Sequence, residues 1–151
     1  MNKKILGRRE KIALPELGIG LVWAKVDTGA YSSSLHAENI REEKLGKKNV
    51  LLFEGLLPGH KGYTGETIIF RKYQKKTIKN SSGDGELRYL IQTTIKIAGE
   101  EFLTEFTLSE RSRMRNAILL GRKALKNRFL IDVDEVNLAK TYRKESKHIN
   151  H

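Results

Sequence analysis

Short apolar segments alternate with glycine, serine, asparagine and charged residues along most of this chain. Residues 21–26 are the clearest segment, and their β-branched and aromatic side chains predict a central strand. Further segments of about 4–10 residues have the same character and also predict strands; they are 50–53, 67–70, 87–97, 101–108 and 129–133. Ala98 and Gly99 lie between two of these segments and predict a hairpin turn.

One segment towards the C-terminal end has a different pattern. Residues 122–127 contain good helix formers and follow Gly121, so they predict one short helix. Many short strands with one late helix predict an all-β fold, either a barrel or a folded sheet. The 151 residues suit one domain. We predict that this domain covers 1–139 and that 140–151 form a basic, polar tail that is frayed or weakly helical.

The composition narrows the choice of partners. The formal net charge is +11, from 29 Lys and Arg against 18 Asp and Glu. Such a charge favours an acidic polypeptide, a nucleic acid or an anionic membrane surface. The chain has no cysteine, and therefore no disulfide and no thiolate metal site. No apolar run has the length of a membrane span or the form of a signal peptide, so we expect a cytoplasmic protein without a membrane partner.

Two separated motifs point to a chemistry. Asp27-Thr28-Gly29-Ala30 follows the predicted central strand, and Leu119-Leu120-Gly121-Arg122 lies far downstream. Asp-Thr-Gly alone is common in turns at strand ends, and a short motif alone is weak support. A strand, Asp-Thr-Gly and a distant hydrophobic-hydrophobic-Gly, in this order, are typical of aspartic peptidases.

The residue types of the first motif suit peptide hydrolysis. Two carboxyl groups held together share one proton, so one group can activate water while the other protonates the leaving group. Asp27 is the candidate catalytic carboxylate. The Thr28 hydroxyl can hydrogen-bond the backbone or its counterpart across the pair, Gly29 allows a close turn, and Ala30 is small enough to leave a cleft open.

A longer set of residues resembles a known family. Residues 25–37 resemble the signature of bacterial and archaeal retropepsin-like proteins, which are often named ATP-dependent zinc proteases and are related to RimB, the partner of RimK-type ligases. The resemblance continues through the following residues: Gly7 to Glu10, Leu14, Pro15, Ser81 to Gly83, Arg88, Thr107 to Arg111, Met114 and Leu119 to Leu125. It implies a closed acid-protease β-barrel, an aspartic-type endopeptidase and a link to the RimK-type ligase pathway.

The resemblance also implies roles for the second motif and an assembly. It implies that Gly121 lies behind the Asp27 loop in a crossing segment and that Gly121 and Arg122 support the active site. Since the chain has one Asp-Thr-Gly, a pair of carboxylates requires a homodimer with Asp27 from each subunit on the two-fold axis.

The chain departs from the retroviral pattern at two places. Retroviral enzymes have an acidic residue after Asp-Thr-Gly-Ala that pairs with the Arg after the distant Gly. Here Tyr31, Ser32 and Ser33 follow, so Arg122 needs another partner or has none. Two glycine-containing segments, 58–62 and 82–85, are both candidates for the flap.

The sequence does not support the zinc or ATP of the family name. A zinc site needs three or four convergent ligands, and His36 with Glu38 is too small a cluster. We interpret His36 as a strand residue that makes a hydrogen bond. Gly18-Ile19-Gly20 lacks the Lys-Ser/Thr of a phosphate-binding loop. We therefore expect neither a metal ion nor another cofactor.

Two basic clusters leave the ligand open. One lies between Arg71 and Lys79 and the other between Arg111 and Arg115. They favour an acidic, glutamate-rich polypeptide substrate, given the link to glutamate ligases. Two alternatives remain, which are a non-catalytic module that binds acidic peptides or a partner on the same fold, and a basic protein associated with RNA or ribosomes.

Overall fold

The computed structural model describes residues 2–56, 63, 65–79, 82–109 and 116–143. Within these residues the chain forms strands of 3–13 residues, a 3-10 turn, a four-residue α-helix and a helical turn at 139–143. In chain order they are β1 (Lys4–Leu6), β2 (Arg9–Leu14), the 3-10 turn (Pro15–Leu17), β3 (Ile19–Val26), β4 (Ser33–Leu45), β5 (Lys48–Gly55), β6 (Thr67–Phe70), β7 (Gln74–Lys79), β8 (Gly85–Ile97), β9 (Glu100–Ser109), β10 (Ile118–Leu120), α1 (Arg122–Leu125) and β11 (Phe129–Ile131).

Six of the described strands close into a barrel. Their order is β10-β3-β2-β8-β9-β4, and β4 pairs with β10 to complete the circle. Outside the barrel, β5 and β6 extend the sheet from β4, while β7 pairs with β8 to form a hairpin. The all-β, closed-barrel prediction is confirmed, including the short helix that follows β10.

Alternation of side chains fills the barrel. In β2 every second residue is buried, and β9 alternates in the same way through its second half. Burial of a large apolar side chain contributes about 1.5–3 kcal/mol. The largest fully buried barrel side chains are Ile12, Leu14, Leu35, Ile91, Ile95, Phe106, Leu108 and Ile118. This packed interior gives the loops at the barrel ends a rigid support.

Most of the predicted strands are confirmed. Residues 21–26 lie in β3, and the other predicted segments coincide with β5, β6, β8, β9 and β11, shifted by a few residues at their ends. The predicted hairpin joins β8 to β9. Its two turn residues, Ala98 and Gly99, both have left-handed backbone angles, with φ of 54° and 75°, as a two-residue hairpin turn requires.

Two polar strands were not predicted, apart from the strand interpretation of His36 in the first of them. β4 has 13 residues, and its second half is almost entirely charged or polar. A register shift between Glu38 and Arg41, with Asn39 at φ 51°, interrupts its alternation. β7 is rich in lysine and was interpreted only as a basic surface, but it forms one side of the β7–β8 hairpin.

The last described residues pack against the barrel. A helical turn covers 139–143, and Ala139 is fully buried. The Tyr142 hydroxyl accepts a hydrogen bond from the Ile5 backbone N–H at 3.0 Å, and Arg143 donates to the Lys11 carbonyl at 3.3 Å. The domain boundary at 139 remains a prediction, although residues 140–143 contact the barrel.

The described helices are all short. None of them is long and apolar enough to cross a membrane.

Candidate active site

The Asp27 loop joins β3 to β4 at one end of the barrel. The Asp27 N–H donates a hydrogen bond to the Leu120 carbonyl at 2.9 Å, and the Ala30 N–H donates to the Asp27 carbonyl at 3.2 Å. Asp27 itself is partly exposed. The loop is therefore fixed through its backbone while the Asp27 side chain stays accessible.

The second motif lies between the two strands that this loop connects. Leu120 pairs with Val26 of β3 in a parallel arrangement, and Leu119 pairs with Ser34 of β4 in an antiparallel one. Ile118 and Leu120 have no exposed surface, whereas Leu119 between them is half-buried, which explains why the first and third residues of this strand are apolar. The two motifs, about a hundred residues apart, thus form one structural unit, as predicted.

Gly121 lies directly against the loop backbone. A Cβ atom on Gly121 would be 2.5 Å from the Ser32 carbonyl oxygen and 2.6 Å from that of Tyr31. Real Cβ contacts essentially never reach such distances with backbone atoms. Only glycine allows β10 to approach the Asp27 loop this closely.

One backbone N–H orients the Asp27 carboxylate. The Gly29 N–H donates to Asp27 Oδ1 at 3.0 Å, and a Cβ on Gly29 would lie 3.3 Å from the same oxygen. The Thr28 side chain is exposed, and no other described residue forms a hydrogen bond with its hydroxyl. The contact predicted for Thr28 across a pair of subunits remains a prediction.

Arg122 has a partner that the sequence did not indicate. Its Nη1 donates to the Thr28 backbone carbonyl at 2.9 Å, and its guanidinium lies 5.8 Å from the centre of the Tyr31 ring. A carbonyl and an aromatic ring therefore take the place of the acidic residue that retroviral enzymes use.

Helix α1 and the loop satisfy each other's backbone groups. The N–H groups of Arg122 and Lys123 donate to the carbonyls of Ala30 and Tyr31, each at 2.9 Å. The first N–H groups of a helix have no partner within the helix. The Asp27 loop supplies these partners, so α1 and the loop hold one another in place.

Ser33 is a supporting residue that the sequence analysis did not assign. Its buried Oγ accepts a hydrogen bond from the Gly121 N–H at 3.0 Å. The sequence signal was present in the Ser32-Ser33-Ser34 run after Tyr31. The sequence analysis noted only that these serines stand where retroviral enzymes have an acidic residue. It did not predict that one of their hydroxyls accepts a hydrogen bond from Gly121.

A second polar cluster anchors the β7–β8 hairpin. Glu42 of β4 lies 2.5 Å from the Lys75 ammonium and accepts hydrogen bonds from the hydroxyls of Tyr73 and Tyr89. Lys75 first, and then Tyr73, hold the pKa of Glu42 below its usual value of 4.5. The bond to Glu42 raises the pKa of Tyr73 to about 12.

The same cluster changes the pKa values of its two other members. The bond to Glu42 raises the pKa of the Lys75 ammonium. Burial, followed by the bond to Glu42, raises the pKa of Tyr89. The cluster ties β4 to the hairpin that carries one flap candidate, residues 82–85, near its turn. The other candidate, residues 58–62, lies outside the described residues.

The other predicted features are His36, the two basic clusters and the expected absence of a metal site. His36 lies in β4, fully buried, with Nε2 3.0 Å from Glu38 Oε1. Lys75 and Lys76 of the first basic cluster lie on β7 and Arg71 directly follows β6, whereas residues 111–115 lie outside the described part of the chain. Within that part, no group of three or more His, Asp and Glu side chains could hold a metal ion.

Comparison with known proteins agrees with this geometry. Residues 5–142 match the RimB-like family, described as "Retropepsin-like aspartic endopeptidase RimB". A solved structure from Legionella pneumophila, described as a protein with unknown function, superposes with a TM-score of 0.71 at 26% identity. The match covers 91% of this chain and 99% of that one.

Longer relatives carry a related segment. A "Probable alpha-L-glutamate ligase" of Shewanella pealeana is 38% identical over 138 residues, covering 89% of this chain and 29% of the relative. A protein of the same name from Desulfotalea psychrophila is 36% identical, covering 95% of this chain and 33% of the relative. This chain therefore spans about a third of the length of these relatives. From the family match over residues 5–142, the chain belongs to the RimB-like family of retropepsin-like aspartic endopeptidases.

Proposed function

We propose that this chain is an aspartic-type endopeptidase in which Asp27 of two subunits forms one catalytic pair. The observation that carries the proposal is the fixed backbone of the Asp27 loop, which leaves the carboxylate accessible and oriented by the Gly29 N–H. One Asp-Thr-Gly per chain requires a second copy for the pair. The two subunits would contribute equally across a two-fold axis.

The proposed reaction uses the pair as base and acid. The ionised Asp27 takes a proton from water as the water oxygen bonds to the peptide carbonyl carbon. The protonated Asp27 of the second copy gives its proton to the carbonyl oxygen. When the tetrahedral intermediate collapses, the C–N bond breaks, the hydroxyl proton returns to one carboxylate and the amine leaves with the proton held by the other. Thr28, Gly29, Ala30, Gly121 and Arg122 would hold the loop for this reaction.

An acidic, glutamate-rich polypeptide is the proposed substrate class. The net charge of +11 supports it, because a strongly basic surface speeds the encounter with an acidic chain. The relatives named as glutamate ligases support it further, since a peptidase that removes ligated glutamates would reverse such a ligation. The ligase would then be a partner in the same pathway, and both would act in the cytoplasm.

The test combines activity with subunit mixing. Wild-type protein is expected to cleave acidic peptides, and the Asp27→Asn variant is expected to lose cleavage while remaining folded. Mixed dimers of wild-type and Asp27→Asn chains should be nearly inactive, because each pair then has one carboxylate. Mixed dimers with full activity would contradict the shared pair. A monomer that binds acidic peptides without cleaving them would instead favour a binding module on the same fold.

A further inference from the structure

The outer face of β2 and β3 carries a tryptophan between two cations. Trp23 is 36% exposed. The Arg9 guanidinium lies 4.9 Å and the Lys11 ammonium 5.3 Å from its ring. Lys25 is exposed on the same face of β3, two residues beyond Trp23. We call Arg9, Lys11, Trp23 and Lys25 the Trp23 face.

The cations of this face have no balancing carboxylate among the residues that the structure describes. Arg9 and Lys25 are directly opposite each other in the β2–β3 register, and like charges in that position are destabilising. In the described part of the chain, none of the three cations forms an ion pair, and the buried Nε of Arg9 has no hydrogen-bond acceptor. Lys75 of β7 and Lys123 of α1 each have a glutamate partner.

The Trp23 face adjoins the candidate active site. Lys25 precedes Asp27 by two residues on the same chain segment. At a rise of about 3.3 Å per residue, the backbone of Trp23 is roughly 13 Å from that of Asp27. An extended peptide covers this distance in about four residues, so a chain lying on the face can continue to Asp27.

We propose that the Trp23 face is a docking site for acidic residues of the polypeptide substrate outside the bond that is cleaved. The proposal deepens the proposed function and rests on it. Carboxylates of the bound chain would lie between the guanidinium and ammonium groups and relieve the repulsion between Arg9 and Lys25. Unpaired charge would thereby make the enzyme selective for long acidic substrates.

A polypeptide fits this face better than a single-stranded nucleic acid. Proteins that bind single strands offer several aromatic side chains on which successive bases stack. Among the described residues, the Trp23 face has a single aromatic ring, and two cations already contact it. A row of cations at alternate strand positions instead suits the carboxylates of an extended acidic peptide.

The binding test uses the Asp27→Asn chain, so that cleavage does not interfere. Labelled glutamate-rich peptides of increasing length are titrated by fluorescence anisotropy. Because Trp23 is the sole tryptophan of the chain, its own emission reports whether the peptide reaches this face. Affinity is expected to rise with peptide length and to fall with salt, together with a change in Trp23 emission.

A charge-matched pair of variants locates the site. The triple variant Arg9→Gln, Lys11→Gln and Lys25→Gln is expected to weaken binding roughly tenfold or more. The control replaces three exposed lysines of the β4–β5 hairpin, Lys44, Lys47 and Lys48, by glutamine. It removes the same charge and should change the affinity less than about twofold. Circular dichroism verifies that both variants fold.

Each outcome separates the docking site from the proposed activity. Equal losses in the two triple variants would show that net charge alone binds the peptide and would overturn the proposal, as would an oligonucleotide that binds the face more tightly than the peptide. If the wild-type background cleaves acidic peptides and its triple variant keeps the same KM, the docking site is wrong and the activity stands. If peptides bind the face and are never cleaved, the activity is wrong and the docking site stands.

Discussion

The Arg122 guanidinium donates a hydrogen bond to the backbone carbonyl of Thr28 at 2.9 Å, although 94 positions separate the two residues. The bond links the residue after the distant glycine directly to the Asp-Thr-Gly turn. Its acceptor is a backbone atom, so the arrangement does not depend on an acidic side chain after Ala30. The Tyr31 ring beside the guanidinium adds an aromatic contact of a kind that arginine favours.

Arg122→Ala should loosen the Asp27 loop. The variant loses one charge-assisted hydrogen bond at an exposed position, so we expect the free energy of unfolding to fall by about 0.5–1.5 kcal/mol. Peptidase activity should fall further, because the loop carries Asp27. Urea unfolding and peptide cleavage measure the two effects. Lys126→Ala, at an exposed position just after α1, should leave both nearly unchanged, and an equal effect at Lys126 would contradict the role of Arg122.

Gly121→Ala should disrupt the packing of this residue against the backbone of the Asp27 loop. The new Cβ would be 2.5 Å from the Ser32 carbonyl oxygen, so the loop or β10 has to move. We expect a loss of about 1–3 kcal/mol in the free energy of unfolding and little remaining cleavage. Gly20→Ala is the matched control, since no atom lies within 4 Å of its added Cβ. Equal stability of the two variants would show that the close approach is unimportant.

Glu10 should prove to be a structural carboxylate. It is fully buried and accepts hydrogen bonds from the N–H groups of Gly7, Leu138 and Ala139 at 2.7–2.9 Å. Glu10→Gln presents an amide N–H to at least one of these donors. The free energy of unfolding should therefore fall by about 1–3 kcal/mol. Denaturant unfolding measures the loss. Exposed Glu101→Gln should be close to neutral, and a stable Glu10→Gln protein would show that the N–H groups find other acceptors.

The Glu42 cluster should make stability depend on pH in the acid range. The pKa of Glu42 is below 4.5 in the folded chain, so its stabilising effect is complete above 4.5 and is lost as the pH falls through the folded pKa. The stability difference between wild type and Glu42→Gln should therefore shrink in acid. A difference that stays constant as the pH falls below 4.5 would exclude Glu42 as its source.

Tyr73 reports on the same cluster at the alkaline end. Its pKa of about 12 should appear as late tyrosinate absorbance in a spectroscopic titration. In Glu42→Gln this pKa should move back towards 10.0, because the acceptor that favours the neutral phenol is no longer charged. Tyr73→Phe identifies the transition. An unchanged late transition in Glu42→Gln would mean that burial alone controls Tyr73.

The sequence predicted those features that depend on neighbouring residues or on a recognisable motif. The adjacency of Gly121 and the Asp27 loop followed from two motifs, and β3 and β9 followed from apolar and β-branched side chains. β4 was missed because Asn39 and the register shift beside it break the alternation of buried and exposed residues. The type of a side chain also does not predict its hydrogen-bond partner when that partner is a backbone group. The acceptor for Arg122 could therefore not be read from residue types.

Contacts that depend on strand register or on distant parts of the chain could also not be read from the sequence. Arg9 and Lys25 are ordinary basic residues until the β2–β3 register sets them opposite each other. Glu10 belonged to a charged run, Arg8-Arg9-Glu10-Lys11, that gives no sign of burial. Its carboxylate is buried because the chain near residue 138 packs against it and donates two backbone N–H hydrogen bonds to it. Such contacts depend on the complete fold, which no local pattern contains.

The contact between Ile5 and Tyr142 brings the first and the last described parts of the chain together. Lys4 also lies over the Tyr142 ring, and β1 runs parallel to β11. The two ends of the described chain, near Ile5 and Tyr142, therefore lie at neighbouring points of the surface. Modules with adjacent ends are well suited to insertion. A larger protein can hold such a barrel within one surface loop, and can gain or lose it there, while the parts on either side keep their folds.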